Sequence, residues 1–148
     1  MRSPGRAGIG NVDSILTSLL LAGLPLPTYS GDRVLGAVDA DIFAPGLNFV
    51  LGEAEIAGKR ALISLQRLRQ EFYGLPQDEN LFRERALKDA VHELGHTYGL
   101  GHCTDFTCVM HFSNSLRDTD LKGWNFCHNC QKKVSLVNRQ RKWHSFRA

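Results

Sequence analysis

Apolar and polar positions alternate along this chain in blocks that read as secondary structure. Ile15 to Pro27, ILTSLLLAGLPLP, is a short apolar run abutted by Asp13, with Ser14, Thr17 and Ser18 on one side of a helical wheel. That pattern predicts a helix over residues 13–23, with Thr17 and Ser18 facing outward. A Pro/Gly-rich connection runs through Asp32. Val34 to Phe43, VLGAVDADIF, reads as a buried strand, with Asp39 and Asp41 on turn duty near its end. Asn48 to Leu51 and Ala61 to Leu65 read as further strands, with bends at Gly52 and Gly58. Asp78 or Glu79 caps a long helix that runs to about Tyr98. Along it Phe82, Ala86, Ala90, Leu94 and Tyr98 recur at helical spacing, which predicts an apolar face packed on the sheet. Gly123 breaks the following loop, and a last helix is predicted from near Cys127. The chain shows no internal repeat.

These elements predict an α+β fold: a small twisted mixed sheet with one backing helix and the long helix packed against it. At 148 residues the chain fits a single domain. Residues 1–100 carry the sheet and long helix, and residues 101–148 form a loop-rich carboxy-terminal part. Gly52 to Ala57 is the expected edge strand. Composition is ordinary for a globular protein, at 43% hydrophobic and 22% charged residues. The net charge of +3 gathers at Lys132, Lys133, Arg139, Arg141, Lys142 and Arg147, a solvated tail rather than a nucleic-acid surface. The run at Ile15 is too short to cross a bilayer. Read as a helix rather than a signal-peptide core, it leaves a cytoplasmic protein with no membrane partner.

The run HELGHTYGLGHC carries the chemistry. His92, Glu93, His96, Gly99 and His102 form HExxHxxGxxH. On a helix, His92 and His96 project one turn apart from one face, close enough for both imidazoles to reach one zinc. Glu93 is rotated by about 100° from His92 and stands beside the metal as a general base. A continuing helix would carry His102 away, so the chain must turn. Gly99 can take the left-handed conformation that ends a helix, and Gly101 gives the next bend freedom. His102 then returns as third ligand and leaves a fourth position open, the mark of a catalytic rather than structural zinc. His111 is the weaker candidate for that third position.

The four cysteines, Cys103, Cys108, Cys127 and Cys130, are spaced C-x4-C, eighteen residues, then C-x2-C. Two close pairs suit a closed four-thiolate zinc, with two disulfides as the alternative. Cys103 directly follows His102, so this structural zinc would help fix the third catalytic ligand. Two Zn2+ per chain are therefore expected, one catalytic and one structural.

With C-V-M at Cys108 to Met110 and CHNC at Cys127 to Cys130, the pattern resembles the archaemetzincins, a metzincin-like family with a four-cysteine zinc beside the catalytic zinc. The stretch VLGAVDADIFAPGLNFVLGEAEIAG is also similar to that family's sheet region. The resemblance implies a metzincin-like (zincin) catalytic domain with Met110 on a tight turn beneath the catalytic zinc. Sixteen residues separate Met110 from Cys127 where the family pattern has about seventeen. The family opens with a strand before its first helix, and MRSPGRAGIGNVD has no such apolar run, as in a truncated or unusually started chain.

The function expected is a zinc metallopeptidase with Glu93 as general base, acting as a monomer on peptides or proteins of unknown identity and without nucleic acid. Two other readings stay open: a zinc-stabilised binding module without catalysis, and a metal-dependent amidase acting on small molecules.

Overall fold

The computed structural model describes residues 15–29 and 31–145. Asp13 and Ser14, expected to open the first helix, lie outside them. Ile15–Leu16 forms a short strand, β1, and helix α1 follows at Thr17–Gly23. β1 pairs in parallel with β3 (Ile42–Phe43), which is why the helix begins later than residue 13. Thr17 does not face outward. It is fully buried, and its hydroxyl donates to the Glu53 carboxylate.

β2 (Val34–Val38), β4 (Gly52–Ala54) and β5 (Arg60–Ser64) form a sheet in the order β2-β5-β4, parallel between β2 and β5 and antiparallel between β5 and β4. The single strand expected over Val34–Phe43 is thus two strands in two sheets. The break falls at Asp39 to Asp41 because both aspartates are held by ion pairs, Asp39 to Arg69 and Asp41 to Arg67, rather than serving the turn alone. The strand expected at Asn48–Leu51 also moves. Only Val50 bridges, to Ile42, and the paired segment starts at Gly52, which lies within a strand and not at a bend.

Alternation along the sheet assigns its two faces. Glu53 and Leu62 are paired and meet α1, whose Leu21 joins Leu62 and Ile42 in one core. Gly52 and Ile63 are paired on the other face, and there Gly52 meets Glu93 of α2 (Glu79–Thr97). Asp78 caps α2 by accepting from the Leu81 N–H.

The buried face of α2 differs from the expected apolar stripe. Phe82, Ala86, Ala90, Leu94 and Tyr98 are only half-buried, whereas Arg85, Lys88, Asp89, His92, Glu93 and His96 are buried. The helix lies between the sheet and the carboxy-terminal part, so its polar side is covered as well. Partners make that burial tolerable. Arg85 forms a two-point ion pair with Asp120 at 2.7 Å on each arm, and Lys88 donates to the carbonyls of Thr119 and Asp120.

The carboxy-terminal part adds α3 (Leu116–Leu121) and α4 (His128–Ser145), the latter starting one residue after Cys127. α3 was absent from the hydrophobic pattern, but it opens with a capping box between Ser115 and Asp118. A second core, Leu100, Cys108, Val109, Met110 and Cys130, holds this part together. Among the described residues no helix is long and apolar enough to cross a membrane.

Candidate metal centres and active-site cleft

The turn that the histidine motif requires is present. Tyr98 caps α2, and Gly99 follows with φ +86°, in the left-handed region. The Gly99 N–H bonds the His96 carbonyl and the Leu100 N–H the Gly95 carbonyl, the paired bonds of a Schellman ending. This closure turns the chain so that His102 returns to the helix face. Gly101 has no positive φ, so the second bend needs no left-handed residue.

His92, His96 and His102 then meet. Their ring centroids lie 4.7, 5.4 and 5.1 Å apart, and one nitrogen from each falls within 4.8 Å of the others. Two of the rings are oriented by backbone. His92 Nδ1 lies 2.8 Å from the Val109 carbonyl and His96 Nδ1 lies 2.6 Å from the Leu100 carbonyl. A carbonyl can only accept, so each Nδ1 carries the proton and each Nε2 offers its lone pair. Those two Nε2 atoms are 3.2 Å apart. Burial pushes the His92 imidazole down to about 3, helped by the Lys122 ammonium. His96 and His102 are lowered by burial too. Three neutral imidazoles with converging nitrogens fit a zinc ion. His111 is not in the cluster. Its Nδ1 bonds the Cys103 carbonyl at 2.9 Å.

Glu93 projects beside this cluster and against the sheet. A Cβ on Gly52 would lie 2.7 Å from Glu93 Cγ, so the strand comes this close only because residue 52 has no side chain. Burial, with Asp89 adding its charge, raises the Glu93 carboxyl well above the usual range. Asp89 is raised to about 7, again by burial and against the pull of Lys122. Lys122 itself is buried, which lowers its ammonium, and it donates to the His111 carbonyl at 3.1 Å.

A cleft of about 460 Å³ opens over the three imidazoles. Residues 47–54 and Ile56 form one wall, Asp89, His92, Glu93, His96 and His102 the floor, and Phe112 to Ser115 with Lys122 the other wall. Phe112 packs at a tilt against His102, with ring centroids 4.8 Å apart. Phe49 is held under the Arg67 guanidinium at 4.0 Å, which the buried Asp41 pair fixes in turn. Tyr98 carries the Arg33 guanidinium over its ring and does not line the cleft.

The four thiols form a second group. Cys103, Cys108, Cys127 and Cys130 have their sulfurs within 4.8 Å of one another, and none is in a disulfide. Such a donor set suits a closed tetrahedral zinc. The Cys130 backbone N–H, at the start of α4, holds the Cys127 thiol down to about 7, while burial raises Cys108 and Cys130. The Cys103 N–H bonds the Met110 carbonyl at 2.9 Å, which ties this group to the segment under α2. Met110 is fully buried, and its Sδ occupies the space where a Cβ of Gly95 would be. Gly95, Asp89 and Lys122 were not singled out from the sequence, and Gly52 was read as a bend and an edge residue, not as one facing Glu93. A glycine between two helical histidines was the available signal for Gly95. The other three are set by tertiary contacts.

The sheet edge thus lies along the helix that carries His92 and His96, with His102 returned to them by the turn. The family follows from comparison with known proteins. Residues 28–136 match the model of Peptidase family M54, and the chain belongs to that family. It is 59% identical over 109 residues to the archaemetzincin of Methanocaldococcus jannaschii, covering 74% of this chain and 60% of that protein. With the archaemetzincin of Pyrococcus horikoshii it shares 52% over 106 residues, covering 72% and 56%. The chain thus spans little more than half the length of these relatives. The crystal structure of archaemetzincin from Methanopyrus kandleri matches with TM-score 0.75 and 42% identity, over 95% of this chain and 73% of that one. That of the Archaeoglobus fulgidus archaemetzincin, complexed with malonate, matches with TM-score 0.72 and 43% identity, over 82% and 70%.

Proposed function

We propose that this chain is a catalytic domain of a zinc metallopeptidase, with residues 1–148 acting as one unit. The observation that carries the reading is the convergence of His92, His96 and His102 on the floor of an open cleft, with Glu93 beside them. His92, His96 and His102 would hold one zinc, and Cys103, Cys108, Cys127 and Cys130 a second. The catalytic zinc supplies Lewis acidity and a nucleophilic water at neutral pH.

The chain's own residues do the rest. Glu93 takes the proton of the attacking water and passes it to the nitrogen of the departing amine. Its burial favours holding that proton between the two transfers. Gly52 and Ala54 alternate with the residues of β4 that bond β5, so their backbone groups turn away from β5 and line the cleft. An extended substrate can pair there as an added strand, which favours a peptide or protein substrate over a compact small molecule. Gly95 gives Met110 its place under the helix, and Gly99 sets the return of His102. Thiols kept free to hold zinc suit a reducing cytoplasm, and among the described residues no feature needs nucleic acid or a second copy.

Zinc-loaded protein incubated with an unbiased peptide mixture tests this, with Glu93→Ala in parallel and zinc measured in both. Cuts made by the wild type alone are expected. Cuts shared by both proteins would point to a contaminating peptidase, and none from a wild type that holds two zincs would favour a binding module.

A further inference from the structure

The three histidines are not held alike. His92 and His96 each donate from Nδ1 to a backbone carbonyl, of Val109 and Leu100. An outer partner of that kind fixes the orientation of a metal-binding imidazole. His102 is the exposed member of the group, and its ring has no hydrogen-bond partner among the described residues. Packing from the preceding residue does not hold it either, because a Cβ on Gly101 would meet nothing within 4 Å. Outside the histidine group, the ring packed on His102 among the described residues is that of Phe112. Their centroids lie 4.8 Å apart, with the planes tilted by 43°.

Phe112 is 44% exposed, so filling a core is not what places it there. Its position is set by the residue before it. The His111 N–H donates to the Cys108 carbonyl at 3.0 Å, and His111 Nδ1 donates to the Cys103 carbonyl at 2.9 Å. The His111 carbonyl accepts from the buried Lys122 ammonium at 3.1 Å. The Cys103 N–H in turn donates to the Met110 carbonyl at 2.9 Å. Residues 110–111 are therefore laced to Cys103, and the Phe112 ring is laid on His102, the residue before it. We propose that Phe112 is a positioning residue for the third zinc ligand. Its ring gives the His102 imidazole the orientation that backbone carbonyls give to His92 and His96. A phenyl face does this without a hydrogen bond, by restricting the swing of the imidazole into the cleft. Zinc binding then has less side-chain freedom to remove. Phe112 acts through His102 and not on the substrate. This rests on the reading of the three histidines as a zinc site. The consequence is selective, because the four cysteines pack with Leu100, Val109 and Met110 and not with Phe112.

The test is the zinc affinity of each site, measured by competition with a chelator in wild type, Phe112→Ala and Phe112→Tyr. Co2+ tells the two sites apart, because thiolate and imidazole donors give it different visible absorption. Phe112→Ala is expected to weaken the histidine site about tenfold, the lower end of what outer partners of metal-bound histidines contribute. The cysteine site and the urea midpoint of the metal-free protein are expected to stay at wild type. Phe112→Tyr keeps the ring and is expected to restore the affinity. Should Phe112→Ala not fold, Phe112→Leu, which keeps bulk without the flat face, is read in its place. A histidine site unmoved by loss of the ring would overturn the proposal. So would equal weakening of both sites, or a Phe112→Tyr protein as weak as Phe112→Ala. A wild type that takes up no zinc at its histidines would overturn the zinc reading itself, and this proposal with it.

Discussion

The histidine group and the four-cysteine group are built from adjacent residues, His102 and Cys103, yet they are opposite kinds of site. The histidines lie on the floor of a cleft, with two rings aimed by backbone carbonyls. The cysteines lie in a core with Leu100, Val109 and Met110, and Cys108 and Cys130 are fully covered. Three donors beside a cleft would leave a bound metal room for a reacting molecule, whereas four donors in a core would leave none. The two also depend on each other in one direction. Val109, whose carbonyl aims His92, belongs to the core that the cysteines anchor. The cysteine group is therefore a scaffold for the histidine group.

The largest expected effect separates chemistry from scaffold. Glu93→Gln should lower kcat by about 10³-fold, the scale of a lost general base, while zinc content and thermal stability stay near wild type. Peptide turnover and metal analysis on the same preparation check it. Cys130→Ser should strike the scaffold instead, losing the cysteine zinc, weakening the histidine site with it and removing several kcal/mol of folding energy, as read by urea unfolding.

Close approaches to α2 give the next effects. Gly95→Ala drives a Cβ into Met110 Sδ and should destabilise by about 1–3 kcal/mol of overpacking, against a gain of up to about 1 kcal/mol in helix propensity. Gly52→Ala drives a Cβ to 2.7 Å from both Glu93 Cγ and the Leu62 carbonyl of β5, so it should cost activity through Glu93 and stability through the strand pair. Turnover and urea unfolding measured on both variants would separate the two outcomes.

The smallest net effect is a pH dependence of metal-free protein, because two buried groups act with opposite sign. The folded-state pKa of His92 is about 3 against 6.5 unfolded, so the unfolded chain binds the proton first. Stability from this group is full above about 6.5 and falls as pH drops towards 3, by up to a few kcal/mol. Asp89, raised to about 7, has the opposite sign: its contribution is present below 3.8 and is lost as pH rises through 7. Urea midpoints of metal-free wild type and His92→Phe across pH 4 to 8 should differ in slope on the acid side.

The same two regions show what was legible in the chain. Both side-chain groups follow from spacing, because HExxH fixes a helix face and close cysteine pairs fix a knuckle. The α+β architecture, the capped helix α2 and the edge position of Gly52 to Ala54 were readable from local pattern. The polar burial of Arg85, Lys88 and Asp89 was not, because a hydrophobic stripe cannot announce ion pairs with residues such as Asp120, 35 positions away. The split of Val34–Phe43 was hidden for the same reason, since Asp39 and Asp41 take their partners from Arg69 and Arg67.

The scaffold relation is tested most directly by titrating zinc into metal-free wild type, His102→Ala and Cys130→Ser while counting tightly bound ions. The account predicts two ions for the wild type, one for His102→Ala with the fold retained, and loss or marked weakening of both sites in Cys130→Ser. A Cys130→Ser protein that still binds one zinc at its histidines with wild-type affinity would contradict it.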